Sequence, residues 1–241
     1  MQKVMNSKNE LVLKILSGQN VNKNFQGMDL SHVDLRGADL AGADLQKANL
    51  KGTDLSGANL RGANLNKANF DDADLRGADL SQSILYDAYI GNSTKIDRKW
   101  RIVWEILYFH DAYNADLTGA DLEDANLSMA SFPKTILRNA NLQNANLSGA
   151  FFGQTDMRSA NLQNAILQRT SISEVNLQGS NLQGAHLTHA IFYNVQLQSA
   201  NLKATRLNDA KLLSGIEYDT KTQWPVGFDP TKSEVFVLVE N

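Results

Sequence analysis

The residues able to act as nucleophiles or metal ligands are few in this chain, and they are poorly placed for either task. Among 241 residues there are four histidines and no cysteine. Thiolate nucleophiles, disulfides and Cys-based zinc sites are therefore excluded. His186 and His189 stand three apart, but a zinc site takes three or four ligands and the sequence offers no obvious third. Asp34, Asp54 and Asp74 recur at twenty-residue intervals with Arg36 and Arg76 beside them. Like charges so arranged repel and the arginines offset them, so the set reads as a self-balanced, solvated face rather than a metal site. No nucleophile elbow or Gly-rich phosphate loop occurs. Asn92, Asn126 and Asn146 begin glycosylation-like triplets, the latter two as by-products of a repeat. The expectation is a chain that is not an enzyme and holds no catalytic residue, cofactor or metal.

The totals narrow the class further. The chain is 42% hydrophobic and 20% charged, with a net charge of −3, too mild a balance to predict nucleic-acid binding or polybasic membrane attachment. The first twenty residues carry a short apolar run broken by Lys14 and no small-residue cleavage site, so no signal peptide is expected. No run approaches the length of a membrane span. A soluble, cytoplasmic protein is the expectation.

What would position any of these side chains is a period of five. Leu, Ile, Phe or Met occupies every fifth position from Leu30 to Ile90, thirteen times, and again from Leu117 to Leu212, twenty times. Neither the helical spacing of three and four nor the strand spacing of two fits. Each pentad reads as one short extended side plus a corner: Ala38 and Leu40 point inward, Asp39 outward, and two residues turn. The second corner position repeatedly carries Gly or Asn (Gly37, Gly42, Gly57, Gly119, Asn139, Asn164, Asn194), residues that tolerate the positive φ of a type II turn. Four corners close a square of about twenty residues, a solenoid in which each layer buries its apolar face only against its neighbours. His186 then falls on an outward side and His189 on a corner.

This A(D/N)LXX pattern resembles the pentapeptide-repeat family over residues 28 to 90 and 115 to 212. The resemblance implies an all-β, right-handed quadrilateral β-helix, and the pentad count gives about eight coils, roughly 40 Å of stacking at ~4.8 Å per layer. The expected organisation is an N-terminal cap with a short helix over 1–24, a first array over 25–90, a helical insertion over 91–114, a second array over 115–213 and a non-repeat C-terminal cap over 214–241. Ser7 and Glu10 have capping-box spacing and Gly18 follows the apolar run, which predicts a helix over 7–17. Trp224, Phe228 and the apolar run 235–239 can cover the last coil.

Residues twenty apart stack, so outward columns can be read directly. Asp121, Asn141, Asn161, Asn181 and Asn201, flanked by Gln143, Gln163 and Gln183, form a candidate amide ladder. Phe132, Phe152, Ile172, Phe192 and Leu212 form an inward, core column. Phe151, Ile191, Tyr193 and Leu213 project outward from that same face, an apolar surface that either the C-terminal segment covers or a partner contacts. In the insertion, Asp97 can cap a helix whose stripe is Trp100, Val103, Trp104 and Leu107. Such a helix packs on the flank of the solenoid or docks a partner. The candidate partner contacts are Trp100, Trp104, Phe151, Ile191 and Tyr193.

The resemblance implies a non-enzymatic scaffold engaging an unidentified protein partner, in regulation of cyanobacterial differentiation or stress. The insertion and the C-terminal segment also resemble segments of cyanobacterial members. An alternative is the DNA-mimicking, gyrase-binding role of some members. Against it, residues 25–90 hold ten Asp to six Lys or Arg, and residues 115–212 hold seven acidic and seven basic residues. A ~40 Å duplex mimic needs roughly twenty negative charges. Those members also favour Phe at the pentad centre, where Leu dominates here.

Overall fold

The computed structural model describes residues 2–17, 23–109 and 112–240, and of residues 2–8 and 208 the backbone alone. Gly18, expected to end the first helix, lies outside the described residues. Contacts divide the chain into two compact units, Met1–Tyr108 and Phe109–Asn241. Each is a β-solenoid with twenty residues per layer. In the first unit Asn24, Asp44, Asn64 and Ile84 bridge in one parallel column; in the second, Asp121, Asn141, Asn161, Asn181 and Asn201 do.

The pentad produces the layer as follows. The centre donates its N–H to the layer above, as Leu40 N–H does to Asn59 O at 2.8 Å, and accepts across its own corner, as Leu40 O does from Ala43 N–H at 3.0 Å. The second corner residue must then take positive φ, +65° at Gly42. Among the described residues the same conformation is held by twenty-one non-glycine residues, including Lys47, Gln82, Met129, Arg169 and Glu174, well beyond the Gly and Asn that the sequence pattern suggests. None of the twenty-one is Val, Ile or Thr, the types most resistant to that region. Within the arrays centres and the residues two before them are buried, Leu45, Leu50, Ala43 and Ala48 fully so, while near the ends Met28 is exposed and Leu117 and Leu212 are half-buried.

The choice of Asp or Asn before the centre follows from direction. Its Oδ1 accepts the N–H two residues on, as Asp44 does from Gln46 N–H at 3.1 Å. At several places where the residue in the next layer is Asn, its Nδ2 donates to the same oxygen below: Asn49 to Asp29, Asn59 to Asp39, Asn64 to Asp44; Asn141, above Asp121, donates to Glu123 instead. An Asp can accept from above but has nothing to donate below, so it suits a lower layer. The Asp34–Asp54–Asp74 column breaks this rule and is held instead by cations, Arg36 lying 2.6 Å from Asp34 and 3.8 Å from Asp54. The amide ladder of the second unit is continuous, with Asn161, Asn181 and Asn201 each donating to the Asn below at 3.1–3.3 Å.

Both units carry the coil past the legible repeat. Phe25 and Ala112 occupy centre positions, donating to Asp44 O and Ser131 O, although their pentads lack the signature. At the far end of each, one residue is inserted at a corner, so Lys95 pairs with Asp74 and Ile216 with Val195 at an offset of twenty-one. The residue after the shifted centre, Ile96 or Tyr218, is then an aspartate. Asp97 accepts the Gly77 N–H at 3.0 Å and Asp219 the Ser199 N–H at 2.8 Å. In each case a side-chain carboxylate replaces the backbone carbonyl that a further layer would have supplied.

The first helix, α1 (Gln2–Leu16), begins earlier than residue 7. Ser7 is therefore inside it, not at its cap, and Glu10 pairs with Lys14 at 2.6 Å instead of closing a capping box. The residues before Ser7 include good helix formers (Gln2, Lys3, Met5) and no breaker, so the helix runs on through them. A cleft lies between α1, through Val12, Leu13 and Leu16, and His32–Asp34 of the first coil. The second helix, α2 (Arg98–Tyr108), buries Trp100, Val103, Trp104, Ile106 and Leu107. Among the described residues no helix is long and apolar enough to cross a membrane.

In the second unit, strands long enough to pair as a sheet form on the Phe-centred face: β1 (Phe151–Gly153), β2 (Ser171–Ser173), β3 (Ile191–Tyr193) and β5 (Lys211–Leu212), parallel and in that order. A second sheet runs β4 (Val195–Gln196), β6 (Ile216–Tyr218) and β7 (Phe236–Leu238). The C-terminal segment thus adds parallel layers to the stack instead of lying across its end. Trp224 packs within it on Tyr218, Phe228 and Phe236 at 5.2–5.5 Å between ring centres.

Candidate protein-docking face

The β1–β2–β3–β5 face arises from its core residues. Phe132 and Phe152 stack at 5.0 Å with planes 8° apart, and Ile172 and Phe192 continue the column, all buried. On this face the residue after the centre stays extended and pairs with its counterparts, Gly153 with Ser173 and Ser173 with Tyr193. β2 and β3 therefore present two outward residues per layer, while in β1 Gly153 is buried. Outward columns are Ser131, Phe151, Ser171, Ile191 and Lys211 on one side of the core. On the other, twenty-residue stacking gives Tyr113, Pro133, Gly153, Ser173, Tyr193 and Leu213.

The apolar members of these columns stay open. Phe151 is 43% exposed, Ile191 38%, Tyr193 41% and Leu213 41%. Phe151 lies flat along its own layer: a Cβ on Gly153 would stand 2.6 Å from Phe151 Cζ, so only glycine leaves room for the ring. Ser171 and Ser173 are half-buried and small. The surface is thus corrugated by layer, with Phe151 and the Ile191–Tyr193 pair as ridges and the serines as a furrow between them. A shallow cleft runs beside Phe151, bordered by Pro133, Lys134, Gln154 and Glu174.

Charge stands at the rim. Lys134 Nζ lies 5.6 Å from the Tyr113 ring centre, and Gln154 Nε2 donates to Glu174 at 2.9 Å. On the next face, the Arg158 and Arg138 guanidiniums, at 2.8 and 2.6 Å, overcome burial and hold the Asp156 carboxyl at about 2. In the first unit the Arg76 guanidinium likewise holds Asp74 at about 2. These are carboxylates locked as anions. No three His, Asp or Glu converge to hold a metal among the described residues. His186 and His189 are both exposed, the latter at a corner with φ +59°.

The five residues expected to contact a partner therefore separate. Phe151, Ile191 and Tyr193 share one exposed sheet. Trp100 and Trp104 are only 6% and 8% exposed, which takes them out of the set of surface contacts. Trp104 Nε1 donates to Ala88 O at 2.7 Å, and Arg101 bonds Thr94 O at 2.8 Å, so α2 packs on the first unit's own last coil. The hydrophobic stripe alone carries no information on what covers it. Sequence columns passed over Tyr113, 58% exposed, because it precedes the second array's first centre; counting twenty back from Pro133 finds it.

Comparison with known proteins follows the same lines. The chain resembles HetL, a pentapeptide repeat protein involved in heterocyst differentiation regulation in the cyanobacterium Nostoc sp. strain PCC 7120. Identity is 27%, coverage 85% of this chain and 94% of that one, and the TM-score 0.35. A trypsin-treated variant of QnrB1, a plasmid-mediated fluoroquinolone resistance protein, matches at 19% identity over 83% of this chain and 87% of that one, TM-score 0.31. Rfr23, a pentapeptide repeat protein of the cyanobacterium Cyanothece 51142, matches at 18% identity over 88% and 98%, TM-score 0.25. No curated protein matches. The family model for pentapeptide repeats matches eight copies over residues 24–57, 53–89, 111–139, 135–173 and 170–209. With its repeats matched over more than half its length, the chain belongs to the pentapeptide-repeat family.

Proposed function

We propose that this pentapeptide-repeat chain is a non-enzymatic scaffold that engages a protein partner, in a regulatory role, through the β1–β2–β3–β5 face. One observation carries the reading: Phe151, Ile191, Tyr193 and Leu213 stand exposed together on a sheet whose family signature places Asp or Asn at the outward position before the centre. Contiguous apolar surface of this kind marks a contact on soluble proteins. Aromatic anchors also supply much of the energy of such contacts. The regulatory element rests on the family resemblance alone.

The test is affinity capture from the source organism with three forms of the protein. Wild type and a Gln163→Ala control on the amide face should retain one protein that Ile191→Lys/Tyr193→Ser loses, while all three melt alike. An identical set of captured proteins for all three would remove the face from consideration. The gyrase-binding alternative finds little support in the charge pattern, since Asp34, Asp71, Asp74 and Asp156 each have a Lys or Arg within 2.7 Å.

A further inference from the structure

The corrugation of this face has a symmetry that selects its occupant. By layer, the outward residues read Ser131 with Pro133, Phe151 with Gly153, Ser171 with Ser173, and Ile191 with Tyr193. Small and large layers alternate over these four, and the flanking layers, with Tyr113 at one end and Lys211 and Leu213 at the other, are both large. We propose that the face is the contact between two copies of this chain, related by a dyad lying along the strands midway between β1 and β2. The proposal rests on the reading of this face as a protein-docking surface and names the partner.

A half-turn about that axis keeps strand direction and reverses layer order, so over these four central layers a large layer meets a small one. Phe151 of one copy, its ring lying over Gly153, lies against Ser171 and Ser173 of the other. Ile191 meets Ser131, and the Tyr193 ring meets the Pro133 ring. Leu213 meets Tyr113, two exposed apolar groups. The rim agrees: Lys134 faces Asn194, and Glu174 faces Gln154, the amide it already bonds within its own chain. Among the described residues no like charges oppose. A dyad along the solenoid axis instead sets Ile191 against Tyr193 in a single layer, ridge on ridge. Isologous contacts require such self-complementarity, and a dyad between β1 and β2 provides it.

The contact is small. Six layers at ~4.8 Å by one short strand span about 24 by 10 Å, well below the roughly 800 Å² per partner of a standard stable interface. The dimer is accordingly weak and concentration-dependent. Sedimentation equilibrium should give 26.6 kDa in dilute solution and approach twice that mass as the concentration rises through the high-micromolar range. Ser171→Arg places a long cation in the furrow opposite Phe151 and should keep the protein monomeric at every concentration with an unchanged melting temperature. If Ser171→Arg melts early, Tyr193→Asp carries the same test.

Because the chain has no cysteine, Ser173→Cys gives a unique thiol beside the dyad. A short bis-maleimide should link it to its own copy, and should not link Gln163→Cys on the neighbouring face. A dimer that survives both Ser171→Arg and Tyr193→Asp assembles elsewhere and overturns the proposal. A monomer at all concentrations also overturns it. In that event, a captured protein lost by Ile191→Lys/Tyr193→Ser leaves the docking face standing with another occupant, and unchanged capture removes both.

Discussion

At the scale of single residues, the corner and the ladder position carry the most specific demands. Gly57 has φ +66°, and a Cβ added there would meet nothing within 4 Å, so conformation alone decides what it tolerates. Lys47 and Arg169 hold similar angles, so Gly57→Lys should melt near wild type. Gly57→Val should lose about 1–2 kcal/mol, and Ser56→Val, one residue earlier, should lose little. Equal melting of the two Val variants would refute the corner assignment. Asn161 tests the ladder. Its Nδ2 donates to Asn141 Oδ1 at 3.2 Å and Gln143 Oε1 at 3.1 Å. Asn161→Asp would aim a carboxylate at two acceptors and should cost about 1–3 kcal/mol at pH 7. That carboxyl would have a raised folded pKa, so the deficit should shrink as pH falls and the group protonates, regaining a donor. A deficit independent of pH would point to packing rather than to the ladder.

Elements fail or hold at their ends, and each end here has its own chemistry. Asp219 is 3% exposed. Burial pushes its carboxyl up, but donors from Ser199 N, Ser199 Oγ, Thr222 Oγ1 and Lys221 N outweigh that and hold it at about 2. A depressed folded pKa contributes stability that is complete above the unfolded value near 4 and lost as pH falls toward 2, worth about 2 kcal/mol. Asp219→Asn should therefore show a smaller loss of melting temperature between pH 4 and pH 2 than wild type, and a parallel loss would show that the terminal coil does not depend on this anion. The helix α2 is tested through Trp104. Its ring is buried and its Nε1 bonded, so Trp104→Ala should cost about 3–5 kcal/mol. Trp104→Phe, which keeps an aromatic ring but loses the donor, should cost less than Trp104→Ala, with about 1 kcal/mol of it from the lost hydrogen bond. In a Trp224→Phe background the remaining emission should be blue-shifted and poorly quenched by iodide. Red-shifted, quenchable emission would contradict the packed helix.

For the molecule as a whole, charge separates scaffold from DNA mimic. The net charge is −3, and Asp34, Asp71, Asp74 and Asp156 each lie beside a guanidinium or ammonium that cancels their field locally. Purified protein should leave gyrase supercoiling unaffected at micromolar concentration. Inhibition that vanished on changing Asp34, Asp54 and Asp74 together to Asn would show that one local column outweighs the total. The same columns show how much of the site was legible in the sequence. Phe151, Ile191, Tyr193 and Leu213 fall on one face by counting in twenties. The extension of β1, β2 and β3 by one residue, which sets Tyr193 beside Ile191 as a ridge, follows from how the Phe152, Ile172 and Phe192 corners open and has no signature in the pentad.

The sequence alone determined the layer: the inward centre every fifth residue, the corner two places on, and the columns that stack at twenty. These are local and repeated demands, and each pentad states them again. Tertiary structure alone decided where each coil stops and what remains uncovered. The first unit's stop depends on Asp97 reaching Gly77, whereas in the second Asp219 reaching Ser199 carries the chain through a one-residue insertion before β7 adds a further layer on β6. Exposure likewise depends on what packs opposite. An apolar stripe at Trp100 and Trp104 and an apolar column at Phe151 and Ile191 read alike along the chain. Only the first is covered, because burial is a relation between distant residues and a periodic pattern specifies one side of it.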